Sequence, residues 1–151
     1  MDEMSKIVKT ISGLVYPLVL IYGFYIILHG HLTPGGGFQG GAIVATAFAL
    51  IIVAYGSEKS EGFFSEKLMS ILESIGGLGF VSIGLLGLGT VFLSNFLIGT
   101  PIFGQVPPTG PNTGILNSGG ILPPLNIFVG LKVLAGLGSI VLAFATWEAE
   151  K

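Results

Sequence analysis

The sequence contains no cysteine and no arginine, and only 9% of its 151 residues are charged. Without cysteine the chain has no disulfide, no reactive thiolate and no cysteine-ligated zinc or iron–sulfur centre of its own. Without arginine, and with a net charge of -2, it has no basic surface for nucleic acid. A soluble domain carries about a quarter charged residues. This chain therefore has too few charges to cover a globule in water.

Hydrophobic residues make up 51% of the chain and fall into four long apolar segments. The segments cover about residues 10–29, 38–55, 70–97 and 125–147. Each is long enough to cross roughly 30 Å of hydrocarbon as a helix, and none shows the alternating pattern of a membrane β-strand. Backbone groups in lipid need internal hydrogen-bond partners, which favours helices. The sequence therefore predicts an all-α integral membrane protein, with a single membrane domain over residues 1–151 and about four transmembrane helices.

The lysines indicate how the chain is oriented in the membrane. Lysines precede the first segment, lie in the connection 56–67 and follow the last segment, whereas the connections 30–37 and 98–123 contain none. Positive residues mark the cytoplasmic side of a membrane. We therefore expect a multi-pass protein of the cell membrane with both termini and the charged connection in the cytoplasm.

The connection between the first two segments is rich in glycine. It reads His-Gly-His-Leu-Thr-Pro-Gly-Gly-Gly-Phe-Gln-Gly-Gly from His29 to Gly41. Glycine at this density allows a tight turn and close backbone approach at the N-terminus of the second helix, where free N–H groups and the positive end of the helix dipole lie. Two interpretations remain open, a packing element or a direct contact with an ion.

Histidine and two charged residues offer further candidates. His29 and His31 are too few for a zinc site, which leaves hydrogen bonding at the membrane surface or proton handling. Lys132 lies about seven residues inside the fourth segment, or about 10 Å deep. A lysine at the centre of a membrane helix costs about 2.5–3.5 kcal/mol, so Lys132 either snorkels to the surface or pairs with a carboxylate or carbonyl, which another chain can supply. Glu73, near the inner end of the third segment, has the same two possible placements, at the membrane surface or in contact with a partner.

Two of these motifs resemble those of a known family. The first is similar to the signature of the B subunit of Mrp-type multisubunit sodium/proton antiporters, the MnhB family, in Gly30-His31, Pro34-Gly35-Gly36-Gly37-Phe38 and Gly40-Gly41. The second, Pro-Pro-Leu-Asn-Ile-Phe-Val-Gly-Leu-Lys-Val at 123–133, resembles the last helix of that family. The same subunit recurs in archaeal membrane-bound hydrogenases and related sulfur-reducing complexes.

The resemblance implies an accessory subunit of a sodium-translocating module, which completes an ion path together with other membrane subunits. Na+ and H+ are then the transported ions of the complex, and no cofactor or metal is expected in this chain. The positions that match the family are His31, Pro34, Gly35, Gly36, Gly37, Phe38, Gly40, Gly41 and Lys132, with Glu73 and His29 as further candidates.

Other functional classes fit the sequence less well. A small homo-oligomeric four-helix exporter is the alternative, but such exporters resemble one another in a glutamate within the first helix, and residues 10–28 carry no charge. We expect no catalytic residue and no catalytic activity of this chain alone. Whether the complex is a stand-alone antiporter or a membrane-bound oxidoreductase stays open.

Cysteines introduced at Ser60 and Thr109 test the orientation. Ser60 lies in the charged connection and Thr109 in the last uncharged one, so we expect an impermeant thiol reagent to label them from opposite sides of the membrane. Labelling is measured in intact cells and in inverted vesicles. The natural chain has no cysteine and is its own background control. Labelling of both positions from the same side would contradict the predicted orientation.

Overall fold

The computed structural model describes residues 4–56, 65–89, 91–106 and 114–149, and within these ranges it has four long helices and no β-strand. The helices are α1 Lys6–His29, α2 Gly36–Tyr55, α3 Glu66–Leu86, which a 3-10 turn at Gly87–Gly89 extends, and α4 Leu122–Ala149. By length and composition all four are able to cross a membrane. The predicted all-α class with about four membrane helices is confirmed.

The orientation of the chain stays a prediction. Ser60 and Thr109 lie outside the described residues, as does much of the charged connection.

All four helices begin earlier than the apolar pattern predicts, and three of them by three or four residues. Ser5 caps α1, where its Oγ accepts a hydrogen bond from the Val8 N–H at 3.4 Å, and Ser65 caps α3 by accepting one from Leu68 at 3.3 Å. A side-chain cap of this kind satisfies an N–H group that the first helical turn leaves free. Helix α4 begins with Leu122 and two prolines. Proline fits the first turn of a helix because its missing N–H has no partner there in any case.

Helix α3 ends at Leu86, although the apolar pattern predicts a helix to residue 97. After the 3-10 turn the chain folds back on the helix end, and the Leu93 N–H donates to the carbonyl of Gly84 at 3.2 Å. The ring of Phe92 covers Gly84, where an added Cβ would lie 2.6 Å from it. Glycine weakens a helix, and here its missing side chain makes room for the returning chain. Residues 91–97 are therefore largely apolar without being helical.

In space the helices follow the order α1, α2, α4, α3. Helix α2 packs between α1 and α4, and α3 packs on α4. The main core cluster combines residues of three helices, Val44, Phe48, Met69, Leu134 and Ala135. The outer face of α1 is apolar and exposed, as at Leu14, Leu18 and Ile21. This is the surface expected of a helix that faces lipid.

Two asparagines order the connection between α3 and α4. The Asn95 side chain accepts a hydrogen bond from the Ile121 N–H at 2.9 Å and donates one to the carbonyl of Gly119 at 3.2 Å. The Asn117 side chain accepts from the N–H of Phe103 and donates to the carbonyl of Pro101. These bonds satisfy backbone groups that have no helical partner. The described parts of this connection are therefore held against the start of α4.

Replacing Gly41 with alanine tests how closely α2 and α4 must approach. An added Cβ at Gly41 would lie 2.7 Å from the carbonyl oxygen of Gly130 and 2.9 Å from Cβ of Val133. The two helices would have to separate, and overpacking of this kind costs about 1–3 kcal/mol. We expect Gly41→Ala to lower the unfolding temperature of the purified protein in detergent. The control is Gly89→Ala, since nothing lies within 4 Å of a Cβ added there. Equal unfolding temperatures for the two variants would contradict this packing.

Candidate functional site

The glycine-rich turn before α2 lies against the start of α4. Gly35 has a φ of 144° and Gly36 a φ of 78°, a region that favours glycine because it lacks Cβ. Helix α2 has no side-chain cap from its own N-cap residue. Instead, Oδ1 of Asn126 on α4 accepts a hydrogen bond from the Gly37 N–H at 3.2 Å. A side chain of another helix thus satisfies one of the free N–H groups at this helix end.

Three glycines of the motif give α2 close backbone contact on two sides. A Cβ at Gly37 would collide with the backbone oxygen of Asn126 on α4, and one at Gly40 would lie 2.7 Å from a carbonyl oxygen of α1. Gly41, like Gly37, lies against α4, where it contacts Gly130. These three glycines, which the sequence predicts for packing or ion contact, are therefore placed at helix–helix contacts. Whether they also contact an ion stays a prediction.

Asn126 and Gly130 belong to this site, although the sequence analysis did not single them out. Both lie in the run 123–133, four residues apart. At the helical period, residues four apart share one face of a helix. A polar residue and a small residue on one face of an apolar helix are the signal that could have identified them.

Pro34 and Phe38 contribute little to these contacts. Pro34 lies exposed in the turn between α1 and α2. The side chain of Phe38 is 63% exposed. Within the described residues, burial therefore does not explain their match to the family signature.

The two histidines have different surroundings. The His29 ring stacks on Tyr25 with ring centroids 4.0 Å apart, and its Nδ1 lies 3.2 Å from the Tyr25 carbonyl oxygen. The His31 ring lies under the connection, against Gly119, and both of its nitrogens are buried without a hydrogen-bond partner among the described residues. Within the described residues, no cluster of three or more His, Asp or Glu side chains could hold a metal ion.

Burial sets the protonation of His31. It lowers the pKa of His31 because the charged ring would lose its hydration, and the nearby His29 lowers it further. The backbone groups of Leu116 and Ile115 face the ring and act in the opposite direction, without completing a hydrogen bond. The described segment 114–121 itself carries no titratable side chain. The neutral ring is therefore the form that this enclosure favours.

Lys132 on α4 forms an ion pair with Glu73 on α3. Nζ of Lys132 lies 3.1 Å from Oε1 of Glu73. The two helices come close at Gly76, where an added Cβ would lie 2.7 Å from the backbone nitrogen of Lys132. Lys132 thus has a carboxylate partner within its own chain.

The ion pair lies deep within the spanning helices. Lys132 is ten residues after the start of α4, or about 15 Å along the helix, which is deeper than the sequence predicts. Glu73 is seven residues after the start of α3, or about 10 Å along it. The two side chains are nevertheless 52% and 43% exposed at the surface of this chain. An ion pair at this depth and with this exposure is in contact with any molecule that covers this surface of the chain.

The glycine-rich turn and the ion pair do not form one site. Asn126 and Gly130 face α2, whereas Phe128 and Lys132 face α3, where they border Gly76. Helix α4 stands between the two groups. The structure therefore has two candidate sites, joined by one helix.

Comparison with known proteins identifies the family. A family model described as a domain related to the MnhB subunit of Na+/H+ antiporter matches residues 7–139. The chain belongs to the MnhB family. The resemblance that the two sequence motifs indicated is therefore confirmed, and with four apolar helices this MnhB chain is a multi-pass membrane protein.

The MnhB chain is similar to both archaeal and bacterial proteins. An uncharacterized protein of Methanocaldococcus jannaschii is 42% identical over 139 residues, which cover 91% of this chain and 51% of that protein. A protein of Staphylococcus aureus named antiporter subunit mnhB2 is 41% identical over 59 residues, 39% of this chain and 42% of that one.

A solved structure has the same fold. It is a chain of the membrane-bound sulfane sulfur reductase, an archaeal respiratory membrane complex, with a TM-score of 0.78 and 33% identity. The match covers 95% of the MnhB chain and 59% of that chain. The MnhB chain thus spans about half the length of the relatives it matches.

Acidification tests the enclosure of His31. Its pKa lies below the ordinary value of about 6.5, so the enclosed form binds fewer protons than an opened one. The packing of the connection is then fully stable above about pH 6.5 and weakens as the pH falls below it. We expect hydrogen exchange of the amides at 115–121 to accelerate, after correction for the intrinsic rate, between pH 7 and 5. His31→Phe, which keeps a ring that does not titrate, should abolish the effect. The same acceleration in this variant would contradict the assignment to His31.

Proposed function

We propose that this MnhB chain is an accessory membrane subunit of a multisubunit Na+/H+ antiporter module. The module stands alone or forms part of a respiratory complex of the sulfane sulfur reductase kind. Family membership supports the antiporter module, and the likeness to a chain of an archaeal respiratory membrane complex supports the second setting. Na+ and H+ enter this proposal as transported ions of the complex and not as resident cofactors.

The observation that carries the proposal is the Lys132–Glu73 ion pair. Ionisable residues inside membrane helices are costly, face a protein interior or water, and mark ion paths. Within the chain the pair lies on the outer surface of α3 and α4. Because lipid tails cannot solvate it, other membrane subunits must cover this surface, and the pair then borders the space between subunits.

The pair also has suitable chemistry for an ion path. A carboxylate binds Na+ through its oxygens or takes up a proton, and the neighbouring ammonium competes with both because it carries the same positive charge. Arrival of a cation at Glu73 would therefore loosen the contact with Lys132. We propose that Glu73 and Lys132 act in this way along a path completed by partner subunits. The predicted orientation, with both termini in the cytoplasm, and the single domain over residues 1–151 are parts of the same proposal.

The homo-oligomeric exporter finds less support. The described part of α1, which would carry the glutamate of such an exporter, has no acidic residue. The family match likewise points to a subunit of a larger module.

Removing the charge of Lys132 tests the proposed function. Lys132→Met keeps the length of the side chain and leaves Glu73 as an unpaired charge within the complex. Where partner subunits cover the pair, an unpaired charge is costly and the proposed contact of Glu73 with the ion changes, so we expect at least about a tenfold loss of Na+-dependent proton exchange. Lys132→Arg should restore part of the activity. The measurement is ion exchange in inverted vesicles, with assembly checked on native gels.

The matched control is Lys67→Met, which removes the same charge from the exposed first turn of α3. This variant should retain its activity. Normal assembly together with full ion exchange in Lys132→Met would contradict the proposed role of the ion pair.

A further inference from the structure

A groove along the seam of α3 and α4 surrounds the ion pair. Its first part is a shallow recess of about 430 Å³ lined by Glu73, Ser74, Gly77, Leu78 and Lys132. Its second part, of about 300 Å³, is an apolar recess that shares Gly77 and Lys132 with the first and continues along Phe80, Phe128 and Val129. We call this surface the α3–α4 groove.

We infer that the α3–α4 groove binds a membrane helix of another subunit through a neutral side chain that both donates and accepts a hydrogen bond. The inference rests on the proposed function, since it names the partner of the same ion pair.

The hydrogen-bonding capacity of the ion pair supports this partner. A lysine ammonium has three donors and a carboxylate has two acceptor oxygens. Among the described residues, the structure gives Lys132 Nζ one hydrogen bond, to Oε1 of Glu73. Two N–H donors and Oε2 thus remain for a partner outside the chain. In hydrocarbon a polar group without a hydrogen bond is costly.

The charge of the pair determines what kind of group fits. Lys132 and Glu73 together are neutral, so a further carboxylate or ammonium would leave a net charge in a medium of low dielectric constant. A hydroxyl, amide or neutral imidazole adds no charge, accepts from Lys132 and donates to Glu73. The groove therefore fits a helix that presents Ser, Thr, Asn, Gln or His at the level of the pair.

The shape of the groove allows a helix to come close. At Gly77 an added Cβ would lie 3.7 Å from Nζ of Lys132, so the absence of a side chain there leaves the ammonium uncovered. Small residues let membrane helices approach each other closely, and Ser74 lies one turn away on the same side. The opposite edge of the chain is different, because α1 exposes the apolar side chains Leu14, Leu18 and Ile21. Lipid can cover this apolar face of α1, but it cannot hydrogen-bond to the ion pair in the groove.

Photo-cross-linking in the intact complex tests the inference. Single cysteines at Ser74, in the groove, and at Leu18, on the lipid face, each receive the same benzophenone maleimide. The natural chain has no cysteine, so the complex with the natural chain, treated in the same way, gives the background from the other subunits. We expect Ser74 to cross-link to a membrane helix of another subunit and Leu18 to give no such product. Peptide mass spectrometry then identifies the helix, and its alanine variant at the contacting neutral polar residue should lose the cross-link.

The remaining outcomes separate the two proposals. A cross-linked helix with only apolar or charged residues at the contact would overturn the inference, as would an intact complex with no cross-link from Ser74. A cross-link to a second copy of the same chain would overturn it in favour of a homo-oligomer. If the tagged chain instead purifies without any other membrane subunit, the proposed function itself fails.

Discussion

The close approach of α2 to both of its neighbours is the constraint on which the rest of the structure depends. Hydrocarbon supplies no hydrophobic driving force between helices, so packing and hydrogen bonds must hold them together. Gly40 gives α2 backbone contact with α1, Gly41 gives it contact with α4, and Asn126 caps its first turn. With one face of α4 held in this way, its other face is available to α3, and Gly76 brings α3 close enough for Glu73 to reach Lys132.

The same arrangement supports the proposal that the chain is part of a larger assembly. Helix α3 has α4 as its one substantial helix neighbour among the described elements, yet it carries the charged residue Glu73 seven residues after its start. A soluble protein would expose such a pair to water at little cost. In a membrane the exposed side of the pair needs a polar neighbour, and four helices in this order leave that side uncovered. The need for a further polar neighbour is thus a consequence of where Glu73 and Lys132 lie.

Much of the fold follows from local features of the sequence, and the rest depends on contacts between distant residues. Long apolar runs and their lengths predict the four helices, and the glycine motif predicts close contact at the start of α2. The hydropathy pattern does not show the reversal at Leu93, because the polar pair Ser94-Asn95 is short and apolar residues continue after it. The ion pair of Lys132 with Glu73 joins positions 59 residues apart, and the sequence around each residue is also consistent with a place near the membrane surface. The sequence does not identify Asn126, because an asparagine in a helix has many possible hydrogen-bond partners. The packing of α2 on α4 determines that the Gly37 N–H is its partner.

The run 123–133 links the two candidate sites through the geometry of one helix. Asn126 and Gly130 are four residues apart and so lie about 40° from each other around α4, whereas Lys132, six residues after Asn126, lies about 120° away from it. One side of this run therefore faces α2 while another faces α3. A helix held on two sides cannot rotate without disturbing both contacts. The cap at Gly37 thus helps to fix the rotation of α4, and this rotation determines whether Lys132 points toward Glu73 or away from it. A substitution at Asn126 would act on the ion pair through this rotation, although Asn126 itself carries no charge and lies on a different side of the helix.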